Sequence, residues 1–268
     1  MKTCRKLLIL FLIFSLALTL SGCGSFQTQM LKTVYKMSRQ ENFHADVNVD
    51  MEIALDLSGQ EITTDALITG GIDIETDPLV MQTDLKLSVL GVEKDLVYTI
   101  VQEGDTLTVY PGGSDAGKEK MVFQSEKAKP QSIIQTMKLA ARWSEYFTEP
   151  MDDTVNGEAA KRYDGVLPQA LAEELMAWIN GEGTSSETSG NGRFPLSIWV
   201  NDDDLIVRVR TDLAVFLKGL VEEQMENMLD QYGLGGLDVG MELKSVDTDI
   251  VLSQFNAVAP IALPEDNG

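Results

Sequence analysis

The stretch Asp46-Val47-Asn48-Val49-Asp50-Met51-Glu52-Ile53-Ala54-Leu55-Asp56-Leu57 alternates polar and apolar side chains almost without a break. Successive side chains of a strand point to opposite faces. Val47, Val49, Met51, Ile53, Leu55 and Leu57 therefore make one apolar face, and Asp46, Asn48, Asp50, Glu52 and Asp56 make a wet one. After a turn at Ser58-Gly59-Gln60 the period repeats in Ile62, Thr64, Ala66, Ile68, Ile72 and Ile74, interrupted at Gly70-Gly71, where a bend or bulge is expected. Asp77-Pro78 turns the chain into a third strand carrying Leu79, Met81, Leu85, Leu87 and Val89, which ends at Gly91. Leu96, Tyr98 and Ile100 mark a fourth, and Leu107 and Val109 a fifth that closes at Pro111-Gly112-Gly113. This is an antiparallel meander. Strands much longer than the usual 5–6 residues twist and curl, and their continuous apolar stripe demands a cover.

The flanking segments offer that cover. Met30, Leu31, Val34, Tyr35 and Met37 fall at helical spacing ahead of the meander. Beyond a short strand at Met121-Val122-Phe123, Pro130 precedes a helix expected over 131–147, with Ile133, Ile134, Met137, Ala141 and Trp143 on one side. A strand over 158–167 leads to Pro168, placed for the first turn of a helix bearing Leu171, Leu175, Trp178 and Ile179. Residues 181–192 hold no apolar side chain and are expected to be a mobile surface loop. A hairpin follows, Leu196-Ile198-Val200 against Leu205-Val207-Val209, turning at Asn201-Asp202-Asp203-Asp204. Thr211 or Asp212 can cap a helix reaching about Tyr232, with Leu217, Leu220, Met225 and Met228 inward, until Gly233 stops it. A last strand region, 239–255, changes register near Ser245. The pattern predicts an α+β domain: a long, strongly curved antiparallel sheet covered on its concave face by several helices.

At the other end, a basic start (Lys2, Arg5, Lys6) precedes the run Leu7 to Leu20, in which only Ser15 and Thr19 are not apolar. The run is shorter than the ~20 residues a bilayer-spanning helix needs, which makes it a secretory signal. Leu20-Ser21-Gly22-Cys23, directly after it, resembles the lipobox of bacterial lipoproteins. The resemblance implies a diacylglyceryl group on the Cys23 sulfur and a cut just before that residue. Two acyl chains suffice for stable attachment. Residues 1–22 are then a signal peptide, 23–42 a lipidated tether with the first helix, and 43–268 one domain on the extracytoplasmic side of a cell membrane.

Composition removes several classes of function. A formal charge of −21 opposes binding to nucleic acid and adhesion of the folded body to anionic head groups. With Cys4 in the signal and Cys23 lipidated, the body has no thiol for a disulfide, a nucleophile or a metal. His44 is the single histidine, and no Gly-x-Ser-x-Gly elbow accompanies it. Adjacent aspartates at 202–204 lack the spaced ligands of a calcium loop, and the glycines of 233–240 follow a helix and carry no lysine, unlike a phosphate cradle. No enzyme, cofactor or metal site is expected. Met51, Met81, Met137, Met225 and Met228 fall on inward faces, and flexible thioethers suit both a site for irregular apolar ligands and a loosely packed core.

The order of elements, Phe43-His44-Ala45 leading into the first strand, and the Pro260-Ile261-Ala262-Leu263-Pro264 tail resemble the LolA/LppX/LprG-like lipoprotein superfamily, with its uncharacterised Gram-positive members. The helix expected at 212–232 departs from that pattern. The resemblance implies a half-barrel whose hollow takes a lipid or other hydrophobic ligand. The candidate lining is Val47, Val49, Met51, Ile53, Leu55, Ile68, Ile72, Met81, Leu85, Leu87, Met137, Met225 and Met228. The partners expected are the membrane, through Cys23, and that ligand; a protein partner is left open. A structural or interaction lipoprotein with a filled core is the alternative.

Overall fold

The computed structural model describes residues 25–57, 60–104, 106–113, 118–124, 141–168, 170–171, 193–214, 217 and 239–264. After helix α1 (Ser25–Met37) come β1 (Asn42–Leu57), β2 (Gln60–Thr76), β3 (Leu79–Val89), β4 (Val92–Glu103), β5 (Thr106–Pro111) and β6 (Met121–Gln124). Then follow β7 (Met151–Val155), β8 (Glu158–Pro168), β9 (Arg193–Asn201), β10 (Ile206–Asp212) and β11 (Val239–Ser253). All eleven belong to one antiparallel sheet, in the order β6-β5-β4-β3-β2-β1-β11-β10-β9-β8-β7. Two meanders, one from each half of the chain, are thus joined where β1 pairs with β11.

That seam is long because both strands are. β1 pairs with β11 from His44 opposite Ser253 to Leu57 opposite Val239, with one irregularity between Glu52 and Ile53, where Lys244 is the unmatched residue. The register change expected near Ser245 is this bulge. Pairing of β2 with β1 and with β3 runs through Gly70 and Gly71 without a slip. The two glycines instead serve close approach. Gly70 has φ +143°, and a Cβ there would stand 2.1 Å from the Asp84 carbonyl oxygen; a Cβ on Gly71 would stand 2.7 Å from His44 Cε1.

The expected α+β architecture, a sheet covered on its concave face by several helices, is corrected: the described residues are nearly all in one sheet. Among the described residues the helical elements are α1, one turn at 141–143 continuing as a 3-10 turn Ser144–Tyr146, and isolated helical positions at 113, 170–171, 214 and 217. Of the helix expected over 131–147, residues 131–140 lie outside the described residues; its described end stops at Tyr146, since Phe147 is extended and bridges Gly165. The helix from 168 and that over 212–232 lie almost wholly outside the described residues, as does the loop 181–192. Where the second begins, Asp212 Oδ1 accepts hydrogen bonds from the backbone N–H of Ala214 and of Val246, at 2.9 and 3.0 Å.

α1 covers only one end of the sheet. Met30 enters a core with Tyr163, Leu167, Phe194, Leu196, Ile198 and Val200, closed from the side by Val34, Trp143 and Phe147. Leu167 is fully buried. Each such side chain contributes about 1.5–3 kcal/mol. A second cluster sits where the chain leaves β10: Ala214, Leu243 and Val246, with Val49, Met51, Ile53, Leu213 and Leu217 against them.

Candidate functional site

Register decides which side chains share a face. Val47 lies opposite Gly70, and Gly70 opposite Leu85, which pairs with Leu96. The next row holds Val49, Ile68 and Leu87; the one after it Met51, Ala66, Val89 and Val92. In the other direction stand Ala45, Ile72, Thr83 and Tyr98, then Phe43, Ile74, Met81, Ile100, Val109 and Met121. Directly paired residues project to the same side. Val47, Val49, Met51, Ile53, Ile68, Ile72, Met81, Leu85 and Leu87 are therefore brought together on one face, as their spacing requires. Leu55 pairs through its backbone with Ile62 and Met241. Cys23, Met137, Met225 and Met228 lie outside the described residues.

The two ends of this face differ in closure. Over β8 and β9 the apolar residues are buried, with Phe194 at 3% exposure and Leu167 at 0%. Over β1–β4, Val47, Ile68, Ile72, Met81, Leu85, Leu87, Leu96, Tyr98 and Ile100 are only half-buried, although every strand beneath them is paired. Thr83 is buried among them without polar loss, since its hydroxyl donates to the Leu96 carbonyl oxygen and accepts from the Tyr98 N–H. Phe43, Leu96, Tyr98, Ile100 and Val109 extend the face beyond the candidate lining drawn from the sequence. The same period-two signal carried them.

Over β1–β4 the opposite face is polar around His44, while toward β7–β10 it carries a buried apolar cluster of Val155, Ala160, Trp199 and Val207. The His44 imidazole lies over Gly71, Nδ1 2.6 Å from an Asp73 carboxylate oxygen and Nε2 3.3 Å from one of Asp46. Partial burial disfavours the imidazolium, but the hydrogen bonds and charges of Asp73 and Asp46 outweigh it and raise the pKa. With carboxylates on both nitrogens, His44 ties β1 to β2 and presents no free nitrogen to a nucleophile. Beside it is an open hollow of about 700 Å³ lined by Asp46, Asp73, Gln82, Asp84, Lys86 and Asp95 among others. Further along this face Arg208 stacks on the Trp199 ring at 4.8 Å and pairs with Asp249, while Trp199 Nε1–H donates to Asp153 at 2.9 Å. The aspartates at 202–204 form the β9–β10 turn, where Asn201 Oδ1 accepts the N–H of Asp203 and of Leu205. Asp204 accepts from Gln29 of α1 at 2.6 Å.

The chain matches no family model, and no curated protein matches it. Among solved structures it is similar to the lipoprotein LppX of Mycobacterium tuberculosis, at 11% identity and a TM-score of 0.45, covering 90% of this chain and 100% of that one. It is similar to LprF of Mycobacterium bovis at 14% identity and a TM-score of 0.41, over 90% of this chain and 97% of that one. A LolA superfamily protein of Nitrosomonas europaea is 9% identical over 85% and 91% of the two chains, with a TM-score of 0.18.

Proposed function

We propose that this protein is an extracytoplasmic lipoprotein, held at the cell membrane by a diacylglyceryl group on Cys23, that binds a lipid or other hydrophobic ligand on the apolar face of its sheet and catalyses no reaction. The observation that carries the reading is the contrast within one face: a closed core over β8–β9, and half-buried, fully paired apolar rows over β1–β4. Apolar surface on a rigid, hydrogen-bonded support gains free energy from an apolar ligand at roughly 25 cal/mol per Å² covered and loses little backbone entropy in doing so.

A specific contact favours the second reading, an interaction lipoprotein with a filled core. Val49, Met51 and Ile53 pack, together with Leu213 and Leu217, against the buried cluster of Ala214, Leu243 and Val246, so the middle of the face is covered by the protein's own chain. The open rows are those of β2–β4.

Titration of the full chain with a fluorescent fatty acid, comparing the parent with Ile72→Trp, tests the choice. A ligand site has room for the ring: binding weakens at least tenfold and the unfolding midpoint hardly moves. In a filled core the parent shows no saturable binding, and the variant loses ~1–3 kcal/mol of stability through overpacking. Cys23→Ala tests the anchor separately. Uncut, unacylated precursor is expected, and acylated, processed Cys23→Ala protein would refute the lipidation site.

A further inference from the structure

We propose that the tip of the β3–β4 hairpin, Leu90-Gly91-Val92, is a wedge that docks the apolar sheet face against a zwitterionic lipid surface. Leu90 is 72% exposed and Val92 69%, more than any other large apolar residue described. The turn has two residues, both in the left-handed region, Leu90 at φ 51° and Gly91 at φ 78°. Turns of this kind favour Asn-Gly, Asp-Gly or Gly-Gly, because a left-handed backbone suits glycine and short polar side chains. Leucine at the first position is doubly unfavourable, strained by its backbone and surrounded by water. Among the described residues it joins none of the packed clusters that would offset either cost. Strain and apolar exposure on one residue point to a function met outside the chain.

Three further observations select the occupant. The tip is continuous with the apolar face: Val92 pairs with Val89, in the row of Ala66 and Met51, and Ile62, 48% exposed, lies on the same face beyond that row. The wedge thus forms the rim over which an apolar ligand reaches the face, and this part of the argument rests on the reading of that face as a ligand site. The charges beside the tip cancel, with Lys86 Nζ 3.4 Å from Glu93 Oε2. A locally neutral apex suits zwitterionic head groups, whereas the formal charge of −21 opposes anionic ones. Finally, the tip lies toward the end of the sheet where β1 finishes, in the row of Met51, with the β1–β2 hairpin running on beyond it to Leu57 and Gln60. Gln29 of α1 bonds to the β9–β10 turn, at the end where β1 begins. The wedge therefore points away from the N-terminal end, toward a second surface.

The full chain, held in phosphatidylcholine vesicles by its N-terminal segment, is mixed with fluorescent phosphatidylcholine acceptor vesicles, and captured acceptor is measured by flotation. Leu90→Asn places a residue suited to the left-handed turn at the apex. Its unfolding midpoint is expected at or above the parent's, with capture reduced at least tenfold; Leu90→Asn combined with Val92→Thr is expected to abolish capture, and phosphatidylglycerol acceptors to be captured less than phosphatidylcholine. Undiminished capture by the double variant overturns the wedge, as does absence of capture by the parent, which would leave the tip to a protein partner. Lipid co-purifying with each variant is measured in parallel. A parent that captures vesicles while holding no lipid sustains the wedge and refutes the ligand reading of the face, so the two can fail separately.

Discussion

Replacing Gly70 by Ala would put a Cβ 2.1 Å from the Asp84 carbonyl oxygen and 2.8 Å from Leu85 Cα, on a backbone held at φ +143°. A side chain in that region of backbone conformation costs ~1–3 kcal/mol before any contact is counted. The contact is with backbone, so no rotamer change relieves it. β2 must move away from β3 where Gly70 faces Leu85, and two or three ladder hydrogen bonds at about 1 kcal/mol each go with it. The total, about 3–6 kcal/mol, is a large part of the 5–15 kcal/mol that stabilises a domain. Gly71→Ala, one position on, meets the far end of a side chain instead, His44 Cε1 at 2.7 Å. The imidazole can swing aside, giving up its bond to Asp73 for about 1 kcal/mol. Urea unfolding of both variants and the parent, followed by far-ultraviolet ellipticity, measures the pair. A Gly70→Ala protein within about 1 kcal/mol of the parent, or no milder an effect at Gly71, would refute the argument that β2 and β3 approach too closely for any side chain at position 70.

His44 makes stability depend on pH. Its folded pKa is raised by Asp73 and Asp46, so the bridge contributes fully below the unfolded value of about 6.5 and its contribution is lost as pH rises through the folded value. His44→Gln should therefore lower the unfolding midpoint more at pH 5 than at pH 9, and an equal loss at both would show that the bridge is not ionic. Asp212→Ala removes the acceptor of two backbone N–H groups, on Ala214 and Val246, and should cost about 1–2 kcal/mol in urea unfolding; Asp212→Asn, which keeps an oxygen, should recover most of it. Leu167→Ala empties a fully buried position beneath α1 and should cost about 2–5 kcal/mol. A smaller loss by calorimetry would mean that this end of the core collapses to fill the space.

Most of the sheet was legible because its strands are long and half-wet. Alternation over Val47–Leu57 set the parity of β1, and parity with turn positions set which residues share the face. β7 was not legible: Met151-Asp152-Asp153-Thr154-Val155 is a short edge strand whose pattern owes more to charge than to burial. The junction of β1 with β11 was hidden too, since nothing local in either strand names a partner two hundred residues away. Helical periodicity over 131–147 misled at its end, where Phe147 serves a bridge to Gly165 rather than a turn of helix. For His44, the lone-residue view missed that Gly71 leaves space for the ring. Two carboxylates around a histidine two and twenty-nine residues away can be recognised only once the strands are in register.

Native mass spectrometry of the full chain, taken from its own membrane in mild detergent, tests the central claim most directly. A population carrying one or more apolar adducts released by collisional activation, in addition to any mass attached at Cys23, is expected, with their depletion in Ile72→Trp. A parent chain with no adduct under conditions that preserve its fold, together with a destabilised Ile72→Trp, would contradict that claim and leave the apolar face as core.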